Sequence, residues 1–347
     1  MKSTEEFYIN RCIQLAKNGL GTTYPNPLVG SVIVHNGRII GEGWHRKAGE
    51  AHAEVNAVNS VKDKSVLAES TLYVSLEPCS HFGKTPPCCD LILHHKIPNV
   101  VIGTIDPNSQ VAGTGIQKLI ANGCTVTVGV LEKECHELNK RFFTFHTKKR
   151  PYIILKWAET TDGFLAPLTK NQNKPVWISN PYSRQLVHQW RSEEQAILVG
   201  TQTVLDDNPK LDVRDWTGQN PVRIVLDRTG KISEAYHVKN GTTKTIVLTE
   251  QENLTSNDTI LYENVIFDRQ LTHKIAEILY HHGIQSVIVE GGRQTLQTFI
   301  DDHLWDEARV FVGKVEIKNG IKAPVLERRF TSIPVKGDQL KLYLNHD

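Results

Sequence analysis

Apolar residues recur at two different spacings along the first half of the chain. Residues 4–18 and 52–61 carry apolar side chains at helical spacing, which predicts two amphipathic helices. Between them, the apolar segments 28–34 and 38–43 flank Asn36-Gly37, and this arrangement is typical of a β-hairpin. Further strands are predicted at 71–76, 99–103 and 125–130, and a further helix at 111–121. Alternating helices and strands indicate a layered α/β domain.

The same alternation begins again after a basic stretch. Residues 131–149 are helical in pattern and end in Lys148-Lys149-Arg150, just before Pro151. Because 347 residues exceed what one core usually carries, we expect one domain at 1–147 and a second at 148–347. In the second domain, strands are predicted at 151–157, 196–200, 222–227, 245–249, 286–289 and 308–312, and helices at 181–191, 202–206, 270–282 and 292–302.

Composition and charge exclude several classes of protein. The formal net charge of +2 is too small to indicate a general affinity for nucleic acid or for an anionic membrane. No apolar run in the sequence approaches the ~20 residues that a membrane helix needs, and the first residues lack the apolar segment of a secretory signal. We therefore expect a cytoplasmic protein with reduced cysteines and without membrane or nucleic-acid partners.

Three of the six cysteines, Cys79, Cys88 and Cys89, lie close together in the sequence. In a reducing compartment such a cluster indicates a metal or catalytic site. One histidine, His52, and two cysteines would give zinc three ligands and leave a fourth position for a water, whose pKa zinc lowers toward ~7. Glu54, two residues after His52 in the first turn of a predicted helix, is the candidate to carry a proton from that water to a leaving amine. The pattern thus predicts a zinc-dependent deaminase site.

A structural zinc site is the alternative interpretation. Its four closed ligands would be Cys79, Cys88, Cys89 and either His52 or His81. The catalytic interpretation is favoured because a closed site gives Glu54 no role. The step from Cys79 to Cys88 is longer than the short deaminase motif allows, so the motif alone does not name a family. Pro78 and Cys79 follow a predicted strand, and we expect a helix to begin there, with backbone N–H groups that stabilise a thiolate.

Four segments together resemble the bifunctional deaminase/reductase family of riboflavin biosynthesis. They are Pro25-Asn26-Pro27-Leu28-Val29-Gly30, Ala51-His52-Ala53-Glu54-Val55, the block from Leu76 to Cys88, and Asp106-Pro107-Asn108. The resemblance implies a cytidine-deaminase-like, three-layer α/β fold for the first domain, and a diaminopyrimidinone carrying a ribosylamino phosphate as substrate. It implies His52, Cys79 and Cys88 as ligands of one Zn²⁺ per chain, Glu54 as proton donor and Cys89 as a neighbour only.

The resemblance also implies substrate contacts in the first domain. Asn26 falls where deaminases of this kind hold the edge of the pyrimidine, although a residue between two prolines is equally well explained as a turn residue. Lys84 is assigned to the substrate in the same way, and His45 and His81 are weaker candidates for contact with the base or the phosphate. These assignments come from the resemblance and not from the spacing of the residues.

Two predicted strand-to-helix junctions of the second domain, at 199–203 and 289–295, are rich in glycine and threonine. No Gly-x-Gly-x-x-Gly follows the first strand of this domain, so a Rossmann cofactor site is not supported by motif. A glycine-rich turn at a helix N-terminus exposes backbone N–H groups to a phosphate. By itself this signal is weak, because turns favour glycine.

The resemblance continues through this second half, in segments such as Leu155-Lys156-Trp157-Ala158, Trp177-Ile178-Ser179 and Val289-Glu290-Gly291-Gly292. It implies a dihydrofolate-reductase-like fold that uses NADPH. The implied cofactor residues are Ala158, Trp177, Thr203, Asp207, Gly292, Arg293, Gln294 and Thr295. The implied substrate residues are Arg191, Leu211, Arg214 and Glu290.

The two arginines suit a 5′-phosphate, because a guanidinium can bind phosphate oxygens in bidentate fashion. Reduction also needs a proton at the ribose oxygen, for which Asp207, Glu290 and Lys156 are unranked candidates. Pro175 and the tail from Lys314 onward depart from the family's pattern.

The leading hypothesis is therefore a bifunctional enzyme that deaminates the pyrimidine and then reduces ribosyl to ribityl. A deaminase of tRNA or free cytidine is a second hypothesis, disfavoured by the reductase-like half and by the balanced charge. A zinc-stabilised binding module is a third hypothesis, disfavoured by Glu54 and by the pair Arg191 and Arg214. The family resemblance implies a homo-oligomer, and two separate pockets make free diffusion of the intermediate the default expectation.

Overall fold

The computed structural model describes residues 3–82, 86–108, 112–168 and 177–345. The chain divides into two units, Met1–Lys149 and Arg150–Asp347. None of the helices within the described ranges is long and apolar enough to cross a lipid bilayer. Lys84 and Pro175, which the sequence analysis singled out, lie outside the described residues.

The first unit is a layered α/β structure built on one sheet. Its strands are β1 (Gly30–His35), β2 (Arg38–Trp44), β3 (Thr71–Leu76), β4 (Asn99–Thr104) and β5 (Thr125–Val128). Its helices are α1 (Thr4–Ala16), α2 (Ala53–Ser60), α3 (Cys88–His94), α4 (Thr114–Ala121), α5 (Glu132–Leu138) and α6 (Lys140–Lys148), with 3-10 turns at Lys17–Gly19 and Lys64–Glu69. Among the described residues the strand order is β2-β1-β3-β4-β5, antiparallel around β1 and parallel from β3 to β5.

Helices cover both faces of this sheet, which confirms the predicted three layers. On one face, Ile9 and Cys12 of α1 and Cys135 of α5 pack against Val32 and Val101. On the other face, α2, α3 and α4 pack on alternate residues of the same strands, including Ile33, Leu72 and Ile102. Alternation of buried side chains between the two faces follows from the two-residue period of a strand.

The second unit contains a larger sheet. Its strands are β6 (Tyr152–Thr160), β7 (Phe164–Pro167), β8 (Ala196–Gly200), β9 (Val222–Leu226), β10 (Thr245–Thr249), β11 (Ile260–Asn264), β12 (Ser286–Gly291), β13 (Glu307–Gly313), β14 (Gly320–Lys322), β15 (Phe330–Val335) and β16 (Asp338–Leu344). Its helices are α7 (Pro181–Glu193), α8 (Thr201–Asp207), α9 (Leu271–His281) and α10 (Arg293–Asp301), with a 3-10 turn at His237–Lys239.

The strand order brings distant parts of the sequence together. Within the described residues it is β11-β10-β9-β8-β12-β6-β13-β16-β15, with β7 and β14 paired separately. The strands from β11 to β13 are parallel, and β16 and β15 join in antiparallel fashion. Strand β12 thus lies between β8 and β6. In open α/β sheets, ligands bind outside the carboxyl ends of strands where the order reverses, which points to the ends of β6, β8 and β12.

Two parts of the fold differ from the expectations. The prediction that a helix begins at Pro78 and Cys79 is wrong, because the next helix, α3, begins only at Cys88. The segment after Gly313, assigned only coarsely from sequence, forms β14, β15 and β16. Asp162 in the turn after β6 holds this segment by accepting hydrogen bonds from the backbone N–H groups of Ile317 and Lys318.

Candidate functional site

In the first unit, three separate elements bring His52, Cys79 and Cys88 together. His52 is the N-cap of α2, Cys88 is the first residue of α3, and Cys79 lies in the loop after β3. The Nδ1 atom of His52 is 3.6 Å from the Sγ atom of Cys79 and 3.4 Å from that of Cys88. Zinc–sulfur and zinc–nitrogen bonds meeting at a tetrahedral angle put such atoms about 3.6 Å apart.

These three residues form the one group of at least three metal-binding side chains found among the described residues. The hydrogen bonds of Cys88 and His52 lower the pKa of Cys79, and its Sγ atom also accepts the backbone N–H of Cys88 at 3.3 Å. The hydrogen bond between His52 and Cys79 in turn raises the pKa of His52. A thiolate flanked by a thiol and an imidazole is a donor set that fits zinc.

Glu54 lies beside these ligands in the first turn of α2 and is only 3% exposed. Burial raises the pKa of its carboxyl to about 7, and its side chain is hydrogen-bonded to Cys88. Cys89, by contrast, has partners of its own, because its Sγ atom contacts the carbonyl oxygens of Pro78 and Gly115. Burial raises the pKa of Cys89 to about 12. A four-ligand closed site that includes Cys89 therefore has no geometric support here.

Asn26 is connected to the group of His52, Cys79 and Cys88 through His45. The Nδ1 atom of His45 lies 3.1 Å from the carbonyl oxygen of Ala51, so it carries the ring proton and the Nε2 atom is left to accept. Asn26 donates from its amide nitrogen to that Nε2 atom at 3.0 Å. The rings of His45 and His52 are in edge contact, with their centroids 5.4 Å apart. His45 thus links the Asn26 amide, whose orientation it fixes, to the ring of His52.

Glu77, which the sequence pattern did not single out, holds the backbone at Asp106 and at residues 113–116. Its buried carboxylate accepts backbone N–H groups from Gly113 and Gly115 at 2.9 Å each, and from Asp106 and Ile116 at 3.3 Å each. Its position directly before Pro78 and Cys79 was a signal in the sequence, but its partners are up to 39 residues away.

In the second unit, the two glycine-rich junctions lie against each other. A Cβ atom added at Gly200 would lie 2.8 Å from the Oγ1 atom of Thr295, and one added at Gly292 would lie 3.3 Å from the Oγ1 atom of Thr203. Gly292 is the N-cap of α10, so its backbone faces the end of a helix where N–H groups are not used within the helix. This side-by-side pair of junctions is a cradle that fits the phosphates of a dinucleotide.

The other predicted cofactor residues lie on several elements of this unit. Arg293 and Gln294 are exposed in the first turn of α10, Asp207 is half-buried at the end of α8, and Ala158 is half-buried in β6. Trp177 is 55% exposed. The guanidinium carbon of Arg184 lies over its ring, 4.4 Å from the ring centroid.

Lys156, Arg191 and Glu290 form a largely buried ion-pair group, with Lys156 in the middle of β6, Glu290 near the end of β12 and Arg191 on α7. Arg191 donates from Nε and Nη2 to the two carboxylate oxygens of Glu290, at 3.0 and 2.8 Å. The Nζ atom of Lys156 is 3.8 Å from the same carboxylate. Burial alone would raise the pKa of Glu290, but Arg191 and Lys156 together lower it to about 2. Burial lowers the pKa of Lys156.

The two arginines expected at the phosphate are therefore not equivalent. Arg191 is largely engaged with Glu290, whereas the side chain of Arg214 is 41% exposed and pairs with Asp212 at 2.6 Å. Arg214 follows Leu211, which is buried and adopts a left-handed backbone conformation with φ of 53°. That conformation costs a leucine about 1–2 kcal/mol. His188 and Asn220, which also contact this loop, were not identified as site residues from sequence.

Two family models match the sequence. The RibD C-terminal domain matches residues 151–315, and the cytidine and deoxycytidylate deaminase zinc-binding region matches residues 2–104. The riboflavin biosynthesis protein RibD of Aquifex aeolicus is 40% identical over 329 residues, which cover 92% of this chain and 90% of that protein. RibD of Escherichia coli is 40% identical over 248 residues, which cover 67% and 66% of the two chains.

Solved structures resemble the whole chain. The diaminohydroxyphosphoribosylaminopyrimidine deaminase/5-amino-6-(5-phosphoribosylamino)uracil reductase of Thermotoga maritima superposes with a TM-score of 0.87 at 38% identity, over 98% of both chains. RibD of Acinetobacter baumannii superposes with a TM-score of 0.86 at 29% identity, again over 98% of both chains.

Proposed function

The chain belongs to the RibD family of bifunctional riboflavin-biosynthesis enzymes, and from that premise we propose which of its residues serve each reaction. It is a zinc-dependent pyrimidine deaminase and an NADPH-dependent reductase. The observation that carries the assignment is the triangle of His52, Cys79 and Cys88 with the buried carboxyl of Glu54 beside it.

For the deaminase, we assign His52, Cys79 and Cys88 as the ligands of one Zn²⁺ per chain. When bound, zinc lowers the pKa of a water so that it can attack the pyrimidine at neutral pH. Glu54 takes the proton from the attacking water and gives it to the leaving amine. This role is supported by its burial and by its hydrogen bond to Cys88.

For the pyrimidine itself, we assign Asn26 to the edge of the ring, supported by the hydrogen bond that orients its amide. Lys84, which the family resemblance assigns to the substrate, is proposed as a further substrate contact. The deaminated product then keeps its ribosylamino phosphate for the second reaction.

For the reductase, the residues proposed to bind NADPH are Ala158, Trp177, Thr203, Asp207, Gly292, Arg293, Gln294 and Thr295. NADPH supplies the hydride that reduces the ribose carbon. Arg191, Leu211, Arg214 and Glu290 are proposed to bind the substrate. We place the Lys156–Glu290 pair, rather than Asp207, at the atom that gains the proton, because the two side chains lie together, largely shielded from solvent, on the adjacent strands β6 and β12.

Four further assignments, on domains, location, oligomeric state and the path of the intermediate, belong to this proposal. Residues 1–147 carry the deaminase, and residues 148–347 carry the reductase. The enzyme acts in the cytoplasm on a small-molecule substrate, as a homo-oligomer whose size light scattering in solution would measure. The intermediate diffuses from one site to the other.

Product masses test the proposal directly. We expect the zinc-loaded chain, given the diaminopyrimidinone ribosylamino phosphate and NADPH, to yield a product in which one amine is replaced by oxygen and two hydrogens are gained. A product with the exchange alone would contradict the reductase assignment, and unchanged substrate would contradict both.

A further inference from the structure

The loop formed by residues 211–215 carries Arg214, the more exposed of the two arginines assigned to the substrate phosphate. Arg191 already donates two hydrogen bonds to Glu290, so the position of Arg214 decides how the phosphate is held. The loop begins at Leu211 in a left-handed conformation, and such a conformation persists in a leucine only where surrounding contacts enforce it.

Three side chains hold three backbone groups in two consecutive peptide units of this loop. Arg191 donates from Nη1 to the carbonyl oxygen of Asp212 at 3.2 Å, Val213 donates its N–H to Oδ1 of Asn220 at 2.8 Å, and Arg214 donates its N–H to Nδ1 of His188 at 3.2 Å. The last contact fixes the backbone of the phosphate-binding residue itself.

His188 is built into the buried side of α7. It is 3% exposed and precedes Arg191 by three residues, so the two side chains lie on one face of the helix. Because the Nδ1 atom accepts the N–H of Arg214, the ring proton belongs on Nε2, which is 3.4 Å from a carboxylate oxygen of Asp215. Only the neutral imidazole with this tautomer satisfies both contacts.

The charged groups around His188 come from every neighbouring element. Arg191 lies on α7, Glu290 on β12, and Arg214 and Asp215 in the 211–215 loop. Burial lowers the pKa of His188, and Arg191 and Arg214 lower it further, whereas Asp215 and Glu290 oppose them. A second proton would place an Nδ1–H opposite the N–H of Arg214, so the acceptor would be lost.

We propose that His188 is a positioning residue of the reductase, whose neutral imidazole holds the backbone of Arg214 so that the 211–215 loop is preformed for the substrate phosphate. The proposal rests on the assignment of Arg214 to the phosphate. His188 does not touch the substrate. It acts through the peptide group of Arg214.

The test measures steady-state reduction of 5-amino-6-(5-phosphoribosylamino)uracil by the full-length, zinc-loaded chain. His188→Leu removes the acceptor, whereas His188→Asn keeps an acceptor near the position of Nδ1. We expect His188→Leu to raise the KM for this substrate about tenfold, the effect of one lost hydrogen bond, with little change in kcat. We expect His188→Asn to restore most of the loss. The KM for the dephosphorylated substrate should not change in either variant.

The pH dependence provides a second readout, which does not require the leucine variant to fold. The substrate phosphate titrates near pH 6 in every assay, so the comparison is between proteins at each pH. Because the pKa of His188 is lowered, the window for this readout lies below the usual histidine pKa of about 6.5. Within it, the KM of the wild-type chain should rise more steeply than that of His188→Asn, because only the wild type can gain a proton at this position. Identical profiles would overturn the proposal.

Two controls separate this proposal from the assignment beneath it. His282→Asn changes a histidine that pairs with Glu263 elsewhere in the same unit, and it should leave all constants unchanged. Arg214→Gln should raise the KM for the phosphorylated substrate about 10- to 100-fold. If Arg214→Gln has this effect and His188→Leu has none, the positioning role is wrong. If neither has an effect, the phosphate assignment itself fails.

Discussion

Glu54 and His52 show why a spacing of two residues works at the start of a helix. Side chains two apart do not share a face within a regular helix. His52, however, is the N-cap, with the extended backbone of φ −70° and ψ 167°, and the helix proper begins at Ala53. The chain turn between them lets the imidazole and the carboxyl reach one pocket. The sequence predicts this pair because the chemistry needs both groups, and the cap geometry explains how it is achieved.

Replacing Glu54 tests its proposed proton-carrying role. Glu54→Gln keeps the size of the side chain but cannot carry a proton, so we expect deamination to fall roughly 100- to 10,000-fold. Zinc content, measured by atomic absorption, should be unchanged because the three ligands remain. Reduction of the already deaminated substrate by the same preparation serves as the control, and a parallel loss of that activity would argue for a folding defect instead.

Among the elements, the buried strands can be predicted because runs of apolar residues in the sequence indicate their burial. All five residues of β8 are buried, and the apolar run at 196–200 predicts that strand. Strand β15 is the opposite case, since five of its six residues are exposed and no apolar pattern marks it. The hydrogen bonds that hold the 211–215 loop also cannot be predicted from sequence. His188 and Asn220 contact backbone groups, and backbone groups leave no signature in the residue pattern.

The N-terminus of α4 depends on a single side chain from another element. Glu77 accepts four backbone N–H groups there and in the loop before it. Glu77→Gln replaces one acceptor oxygen with a donor, so we expect a loss of about 1–3 kcal/mol in local stability. Hydrogen exchange of the peptide that contains Gly113 and Gly115 should become at least about tenfold faster. Glu132→Gln, in the exposed first turn of α5, is the matched control and should leave this peptide unchanged.

The contact between the two glycine-rich junctions makes a further prediction. A methyl group in Gly200→Ala would lie 2.8 Å from the Oγ1 atom of Thr295 and would force either that side chain or the start of α10 to shift. Overpacking of this kind costs about 1–3 kcal/mol, so we expect the KM for NADPH to rise about tenfold while the KM for the pyrimidine changes little. An unchanged KM for NADPH would remove this junction from the cofactor site.

At the scale of the whole molecule, the two active sites draw on different units. The three proposed zinc ligands lie in Met1–Lys149, and the ion-pair group of Lys156, Arg191 and Glu290 lies in Arg150–Asp347. The sequence predicts this division because the helix–strand alternation restarts after the basic stretch at 148–150. We therefore expect a change at one site to affect the reaction of that site and to leave the other reaction unaffected.

Metal removal tests this independence. We expect a chelator to abolish deamination, because the ligands no longer hold zinc, while reduction of 5-amino-6-(5-phosphoribosylamino)uracil stays within about twofold, as separate domains imply. Far-UV circular dichroism should change little, since a catalytic zinc is not needed to hold a domain together in the way a structural zinc is. Loss of reduction on chelation would contradict the division of labour, and zinc added back should restore deamination.

The strand order of the larger sheet has a consequence for the folding of the protein during its synthesis on the ribosome. Strand β12 inserts between β8 and β6. The centre of that sheet therefore stays open until β12 has been synthesised, about 140 residues after the start of β6. The first unit has no such delay, because its sheet is complete by Val128. Domains fold as units, the N-terminal one first, so His52, Cys79 and Cys88 can capture their metal while the reductase is still being made. The nascent chain would thus carry a folded deaminase domain at its N-terminal end well before the reductase domain has been synthesised.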